Sequence, residues 1–231
     1  MRFTRRVLAR QAEPQHLGRS VPRGLITDWG GVLTIPVASA VAAWLEADSI
    51  DQPRYRAIMS QWVREAYSAN GLVNPIHALE RGETRPDEFE ELLAARLVRS
   101  DGAAVPARGL LGRMFAEMAP VEPMYALLRS LRRAGVRTGM LSNSWGNDYP
   151  REMFSDLFDL VIISSEVGMR KPEKRIFLHA LAGLGLRPRQ CVFLDDIEAN
   201  VAAAQAVGMI GLHHRDPEGT AAAVRDLFGL A

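Results

Sequence analysis

The sequence predicts an α/β fold, a parallel sheet of five short strands wrapped by helices and interrupted after its first strand by an all-helical insertion. Three observations lead there. Short apolar runs end near residues 28, 141, 163, 194 and 212, and the later ones alternate with segments of helical spacing. The stretch 37–118 has helical texture throughout. The first apolar run, Leu25-Ile26-Thr27-Asp28, ends in an acid and breaks at once into Trp29-Gly30-Gly31. Such a strand-to-loop break is where open α/β sheets hold their ligands.

The chain has 231 residues with 48% hydrophobic content, enough for one core domain plus an insertion. Its formal net charge of +1 gives no electrostatic basis for a nucleic-acid partner or an anionic membrane. No apolar run has transmembrane length. At the start, Arg2, Arg5, Arg6, Arg10, Arg19 and Arg23 face a single acid, Glu13, among Pro14 and Pro22, so residues 1–22 read as a flexible basic extension. A targeting peptide fits less well, because serine is scarce and no apolar core is present. The single cysteine, Cys191, has no internal disulfide partner and sits in an apolar run. A buried thiol and a cytoplasmic compartment are expected.

Taken in order, the first strand runs to Asp28, and Ile35-Pro36 closes its loop. Ala42, Trp44 and Leu45, then Ile58, Met59, Trp62, Val63 and Tyr67, recur at three- and four-residue spacings typical of amphipathic helices. In Thr84-Arg85-Pro86-Asp87, Thr84 can cap a helix, Pro86 suits its first turn and Asp87 stands as the capping-box acid. The aromatic residues of this block are expected in its core. From Val121 the α/β rhythm resumes with a helix through Met124, Leu127, Leu128 and Leu131, ended at Gly135. Strands follow at 136–141, 160–163, 191–194 and 209–212, with helices before Phe158, over 172–184 and over 197–207, the last stopped by Gly208. The core domain is thus assigned to 23–36 and 119–231, and the helical insertion to 37–118.

In a parallel sheet all carboxyl ends fall on one edge. To that edge this chain brings Asp28, Ser142-Asn143-Ser144, Arg170-Lys171-Pro172 and Asp195-Asp196. Each has a simpler explanation when taken alone. Asp, Ser and Asn form turns, a lysine is normally solvated, and an acid pair can cap the following helix.

Together, Asp28 at a strand end, Ser142 in Leu-Ser-Asn, Lys171 in Arg-Lys-Pro, and Asp195-Asp196 in Phe-Leu-Asp-Asp-x-x-x-Asn resemble the four motifs of the haloacid dehalogenase (HAD) superfamily of hydrolases. The resemblance implies a Rossmann-like, HAD-like core, with 37–118 standing where that family places a helical cap domain that closes over the site. Trp-Gly-Gly-Val-Leu, Asn74-Pro75 and Glu80-Arg81-Gly82-Glu83 resemble the branch that includes the phosphatase domain of soluble epoxide hydrolases.

By this resemblance Asp28 is the nucleophile that forms an aspartyl-phosphate. Ser142 and Lys171 hold the phosphoryl oxygens, Lys171 also restraining the nucleophile, and Asn143 and Gly30 join the substrate site. Mg²⁺ is held by Asp28, Asp196 and the Gly30 carbonyl, an oxygen-only set suited to a hard cation. Asp195 and Asn200 support the site, and the substrate is a small phosphorylated metabolite. One departure stands out: most phosphatases of this family carry a second Asp, the general acid, where this chain has Gly30.

Two alternatives follow. The family's namesake reaction on 2-haloacids also lacks the second Asp, but its last motif tends to carry serines where this chain has Asp195-Asp196. Adjacent carboxylates beside a third repel unless a cation sits among them, which favours the metal-dependent phosphatase. The other alternative is a weakened member that only binds a phospho-ligand. His213-His214 are expected to point to opposite faces and not to share a metal. Trp29 and Trp145 either line the pocket or pack. The sequence leaves the substrate and the oligomeric state open.

Overall fold

The computed structural model describes residues 21–66, 74–146 and 148–230. The basic segment up to Ser20, together with Tyr67 and the side chain of Val63, lies outside the described residues. Strands β1 (Gly24–Thr27), β2 (Arg137–Ser142), β3 (Leu160–Ile163), β4 (Cys191–Asp195) and β5 (Ile210–His213) form one sheet in the order β3-β2-β1-β4-β5. All neighbours are parallel. The sheet is covered on both faces, which is why its central strands read as continuous apolar runs without alternation. Leu25, Met140 and Val192 enter one cluster, while Ile26, Leu141 and Phe193 enter the other.

The register puts the chemistry on one edge. Thr27 pairs with Met140 on one side and Leu194 on the other, so Asp28, Ser142 and Asp195-Asp196 leave the sheet side by side. The chain passes from β1 to β2 on one flank and reaches β4 on the other, which makes this edge the topological switch point.

Between β1 and β2 the chain forms α1 (Val37–Ala47), α2 (Gln52–Ala66), α3 (Pro75–Glu80), α4 (Pro86–Ala94) and α5 (Leu110–Met114). These helices share an apolar cluster of their own, which includes Trp44, Trp62, Leu79, Phe89, Leu93 and Leu110. The outgoing and returning segments run together: Ile35 N donates to Ala119 O at 3.0 Å and Val121 N to Leu33 O at 2.9 Å. Two local expectations change. Ala42 is exposed, and Ala40, one turn before Trp44, completes the buried face of α1. Helix α4 is capped at Arg85, because Pro86 occupies the first turn; Glu88 accepts from the Arg85 N–H at 3.3 Å. Thr84 N instead donates to Ala78 O at 3.3 Å, finishing the turn after α3, and Asp87 pairs with the Arg85 guanidinium at 2.6 Å.

Helix α6 (Glu122–Arg133) shows why these segments fold locally. Glu122 and Pro123 open it, Arg132 and Arg133 close it in accord with the helix dipole, and Met124, Leu127, Leu128 and Leu131 form one buried stripe. Gly135 follows with φ 78°. The short α7 (Phe154–Leu157) precedes β3, α8 (Ser164–Val167) follows it, and α9 (Lys174–Leu184) and α10 (Glu198–Ala206) flank β4. A last helix, α11 (Pro217–Phe228), lies beyond the predicted elements. Asp216 caps it by accepting from Gly219 N at 2.7 Å, and its Val224 and Phe228 join the cluster beneath α6.

Cys191 is fully buried, and burial pushes its thiol up to about 12. No helix among the described residues is long and apolar enough to cross a membrane.

Candidate active site

Asp28 sits one residue past β1, where its N–H still donates to Leu194 O at 2.8 Å. Its Oδ1 accepts from the Trp29 N–H at 2.7 Å and lies 2.8 Å from Lys171 Nζ. Both donors converge on that one oxygen, and Oδ2 has no hydrogen-bond partner among the described residues. The turn that follows needs glycine: Gly31 has φ 78°, and a Cβ there would stand 2.3 Å from Asp196 Oδ2. The carboxylate of Asp196 thus lies against the backbone just after Asp28.

Lys171 is 1% exposed, an unusual place for a lysine. Its ammonium bridges Asp28 and Asp195, the latter at 2.7 Å. Burial alone would push the ammonium down, but Asp195 and Asp28 outweigh it and hold the group above its ordinary range, so it stays charged. The loop is fixed from β2, because Asn143 Nδ2 donates to Lys171 O at 3.0 Å and Asn143 Oδ1 accepts from Lys171 N at 2.8 Å.

Three acids share the edge, with carboxylate oxygens of Asp28, Asp195 and Asp196 within 4.8 Å of one another. They are not equivalent. Asp195 is fully buried and accepts from Lys171, the Ile197 N–H at 2.8 Å and Asn200 Nδ2 at 3.1 and 3.2 Å. Both of its oxygens are taken, so it positions Lys171 and α10. Asp196 stands past the strand end, partly exposed, with its carboxyl raised by burial and by Asp195. Burial pushes the Asp28 carboxyl up to about 7; Lys171 counters this, while Asp195 and Asp196 add to it. The pair Asp28 and Asp196 therefore offers a cation two strained carboxylates with oxygen to spare.

Ser142 ends β2 and shares a 2.9 Å hydrogen bond with the hydroxyl of Tyr149. Tyr149 was not among the expected site residues; it is 8% exposed, with its phenol raised by burial. Its ring packs on Trp29 at 5.7 Å, and Trp29 also meets Phe154 and Tyr125, so Trp29 packs as well as lining the cavity over this edge. His213 Nε2 lies 3.0 Å from Asp196 O, whereas His214 Nδ1 lies 2.8 Å from Thr220 Oγ1. The two rings diverge, as expected, and His213 braces the peptide of Asp196.

A cavity of about 270 Å³ opens over this edge. Asp28, Ser142, Lys171 and Asp196 form its floor; Val37, Val41, Tyr55, Phe115 and Met118 form much of its roof. The α-carbon of Gly30 faces that roof, since a Cβ there would meet Val37 Cγ2 at 3.2 Å and Met118 Cε at 3.5 Å.

The helices are tied to the loop that carries Lys171 by charge. Glu80 on α3, 7% exposed, pairs with Arg170 Nε and accepts from Trp145 Nε1 at 3.2 Å, while Arg81 Nη1 meets Glu173 at 3.2 Å. Trp145 therefore both packs, against Phe89, and lines the cavity. Glu80→Ala strands the Arg170 guanidinium and is expected to destabilise the protein by about 3 kcal/mol, with Glu80→Gln losing less. A urea midpoint unchanged in Glu80→Ala would show that the pair does not tie the two parts together.

A family model for haloacid dehalogenase-like hydrolases matches residues 22–208. A sesquiterpene phosphatase of Aspergillus oryzae is 36% identical over 155 residues, covering 65% of this chain and 77% of the fungal protein. Bifunctional epoxide hydrolase 2 of Rattus norvegicus is 27% identical over 215 residues, which are 87% of this chain but only 37% of the rat protein. A HAD family enzyme of Bacteroides thetaiotaomicron, crystallised with magnesium and inorganic phosphate, superposes with a TM-score of 0.60 at 23% identity, covering 84% of this chain and 94% of that one.

Proposed function

Because the chain belongs to the haloacid dehalogenase-like hydrolases, we propose that it is a magnesium-dependent phosphomonoester hydrolase acting through an aspartyl-phosphate at Asp28. The observation that carries this reading is the fully buried Lys171 held between Asp28 and Asp195, with Asp196 alongside, on the floor of a closed-over cavity. The naming of the fungal relative as a phosphatase supports it.

The residues fit a divalent cation. The donor set is all oxygen, and the carboxyls of Asp28 and Asp196 are raised by burial and by neighbouring acids, a strain that a hard cation relieves. Mg²⁺ would be held by Asp28, Asp196 and the Gly30 carbonyl, and supplies neutralisation of the phosphoryl charge.

The chain's own groups do the rest. Lys171 and the Trp29 N–H fix Oδ1 of Asp28, leaving Oδ2 to attack phosphorus. Lys171 and Ser142 hold the non-bridging oxygens as the ester P–O bond breaks and the alcohol leaves. Water then attacks phosphorus, the bond to Asp28 breaks, and phosphate departs with the carboxylate restored. Val37 and Met118 of the roof enclose the attack site, and the helices over 37–118 act as the cap that keeps other water out.

Gly30 leaves the departing alkoxide without a side-chain acid at that position, so its proton comes from water. Turnover is then expected to depend steeply on the leaving group. Aryl monophosphates should outpace alkyl ones by about 10²- to 10⁴-fold, the usual contribution of a general acid. The test is phosphate release from a panel of both ester types, with Mg²⁺ and with chelator. Release from no ester would overturn the reading and turn attention to chloride release from 2-haloacids, which needs an Asp nucleophile but no use for the acid pair at 195–196.

A further inference from the structure

We propose that the alcohol half of the substrate is a hydrocarbon, a short chain or single ring, so that the site takes monophosphates of apolar alcohols rather than of sugars or amino acids. This rests on the phosphomonoesterase reading and adds the substrate class.

The cavity has two chemically distinct halves. Its floor carries the charges that suit a phosphoryl group. Its roof presents Val37, Val41, Met114, Phe115 and Met118, and Ile197 stands at the rim with its apolar side chain 53% exposed among the described residues. The polar groups of the roof are nearly all committed elsewhere. Glu80 is neutralised by Arg170 and also accepts the indole N–H of Trp145. The Tyr55 hydroxyl is the one roof group left without a hydrogen bond among the described residues. A polyol seated here would give up its hydrogen bonds to water and regain few of them from the roof, whereas each methylene moved out of water gains affinity. A cavity of about 270 Å³ lies at the small end for ligand sites, commonly about 300–1,000 Å³, which limits the alcohol to a short chain or one ring.

Alkylphosphonates share the headgroup and cannot be hydrolysed, so they test the roof without requiring turnover. Calorimetric titration of the Mg²⁺-loaded protein should rank hexylphosphonate about 50-fold or more above methylphosphonate, about fourfold for each of the first methylenes buried. A polyhydroxylated chain of the same length should fall near methylphosphonate, and Val41→Asp should lower the hexyl-to-methyl ratio. Equal binding of hexyl and methyl, or of hexyl and its polyhydroxylated analogue, overturns the apolar assignment while leaving the phosphatase reading in place. If neither the phosphonates nor inorganic phosphate bind in the presence of Mg²⁺, the phosphatase reading falls and this inference with it.

Discussion

Lys171→Met is expected to remove activity and also about 3–5 kcal/mol of stability, because it leaves the buried carboxylates of Asp28 and Asp195 facing each other without a cation. The effect is large because the geometry offers no substitute. Lys171 is 1% exposed, and water cannot take its place without opening the loop that Asn143 clamps. The loss has a direction in pH. Asp28 already titrates near 7 in the folded protein, against about 3.9 for an unperturbed aspartate, and without Lys171 it rises further. A carboxyl raised on folding weakens the native state at pH above its folded value and ceases to do so as falling pH protonates it. The part of the gap between wild type and variant that comes from Asp28 is therefore small below about pH 7, where the carboxyl is protonated in both folded proteins, and widens as the pH rises above that value towards the variant's own higher one. Urea unfolding at pH 8 and pH 6 reads this directly. An unchanged midpoint at pH 8, with an unchanged slope, would mean that the ion pairs contribute nothing to the fold.

Asp28→Asn is expected to abolish turnover by at least about 10⁴-fold while leaving a folded protein. The amide keeps an oxygen for the Trp29 N–H and is neutral, so its burial costs less than that of the carboxylate it replaces. Lys171 retains Asp195. The destabilisation should accordingly be much smaller than in Lys171→Met, and the two variants together separate the chemical role of Asp28 from the structural role of the buried lysine. Assay with 4-nitrophenyl phosphate and Mg²⁺ decides it: residual activity within tenfold of wild type would remove Asp28 from the role of nucleophile.

Much of the fold is legible in the sequence because its causes are local. Parallel strands buried on both faces must be apolar along their length, so the runs ending at Asp28, Leu141, Ile163 and Leu194 stand out by residue type alone. The acid-glycine break after β1 is legible for the same reason, since only a glycine tolerates the backbone of Gly31 beneath Asp196. Helix phase is less secure. Ala42 lies in the right spacing but on the wrong side of α1, and the cap of α4 moves by one residue to Arg85, because neighbouring turns compete for the same backbone donors. Helix α11 carries its own start signal in Asp216-Pro217, but that signal adjoins no site motif and does not stand out from an ordinary turn.

The apolar strand runs, the acid at the end of β1 and the four short motifs that assemble the charged floor are legible in the residues alone. Those features depend on residue type and near neighbours. What those residues are free to do depends on how the chain packs. The packed chain engages both oxygens of Asp195 with Lys171, Ile197 and Asn200, joins Ser142 to Tyr149, and sets His213 against the peptide of Asp196. It also sets Glu80 against Arg170, ninety residues away, and lays Val37 and Met118 over Gly30. Such contacts join side chains from separate segments. They are set by strand register and by how helices pack, and no local stretch of sequence encodes either.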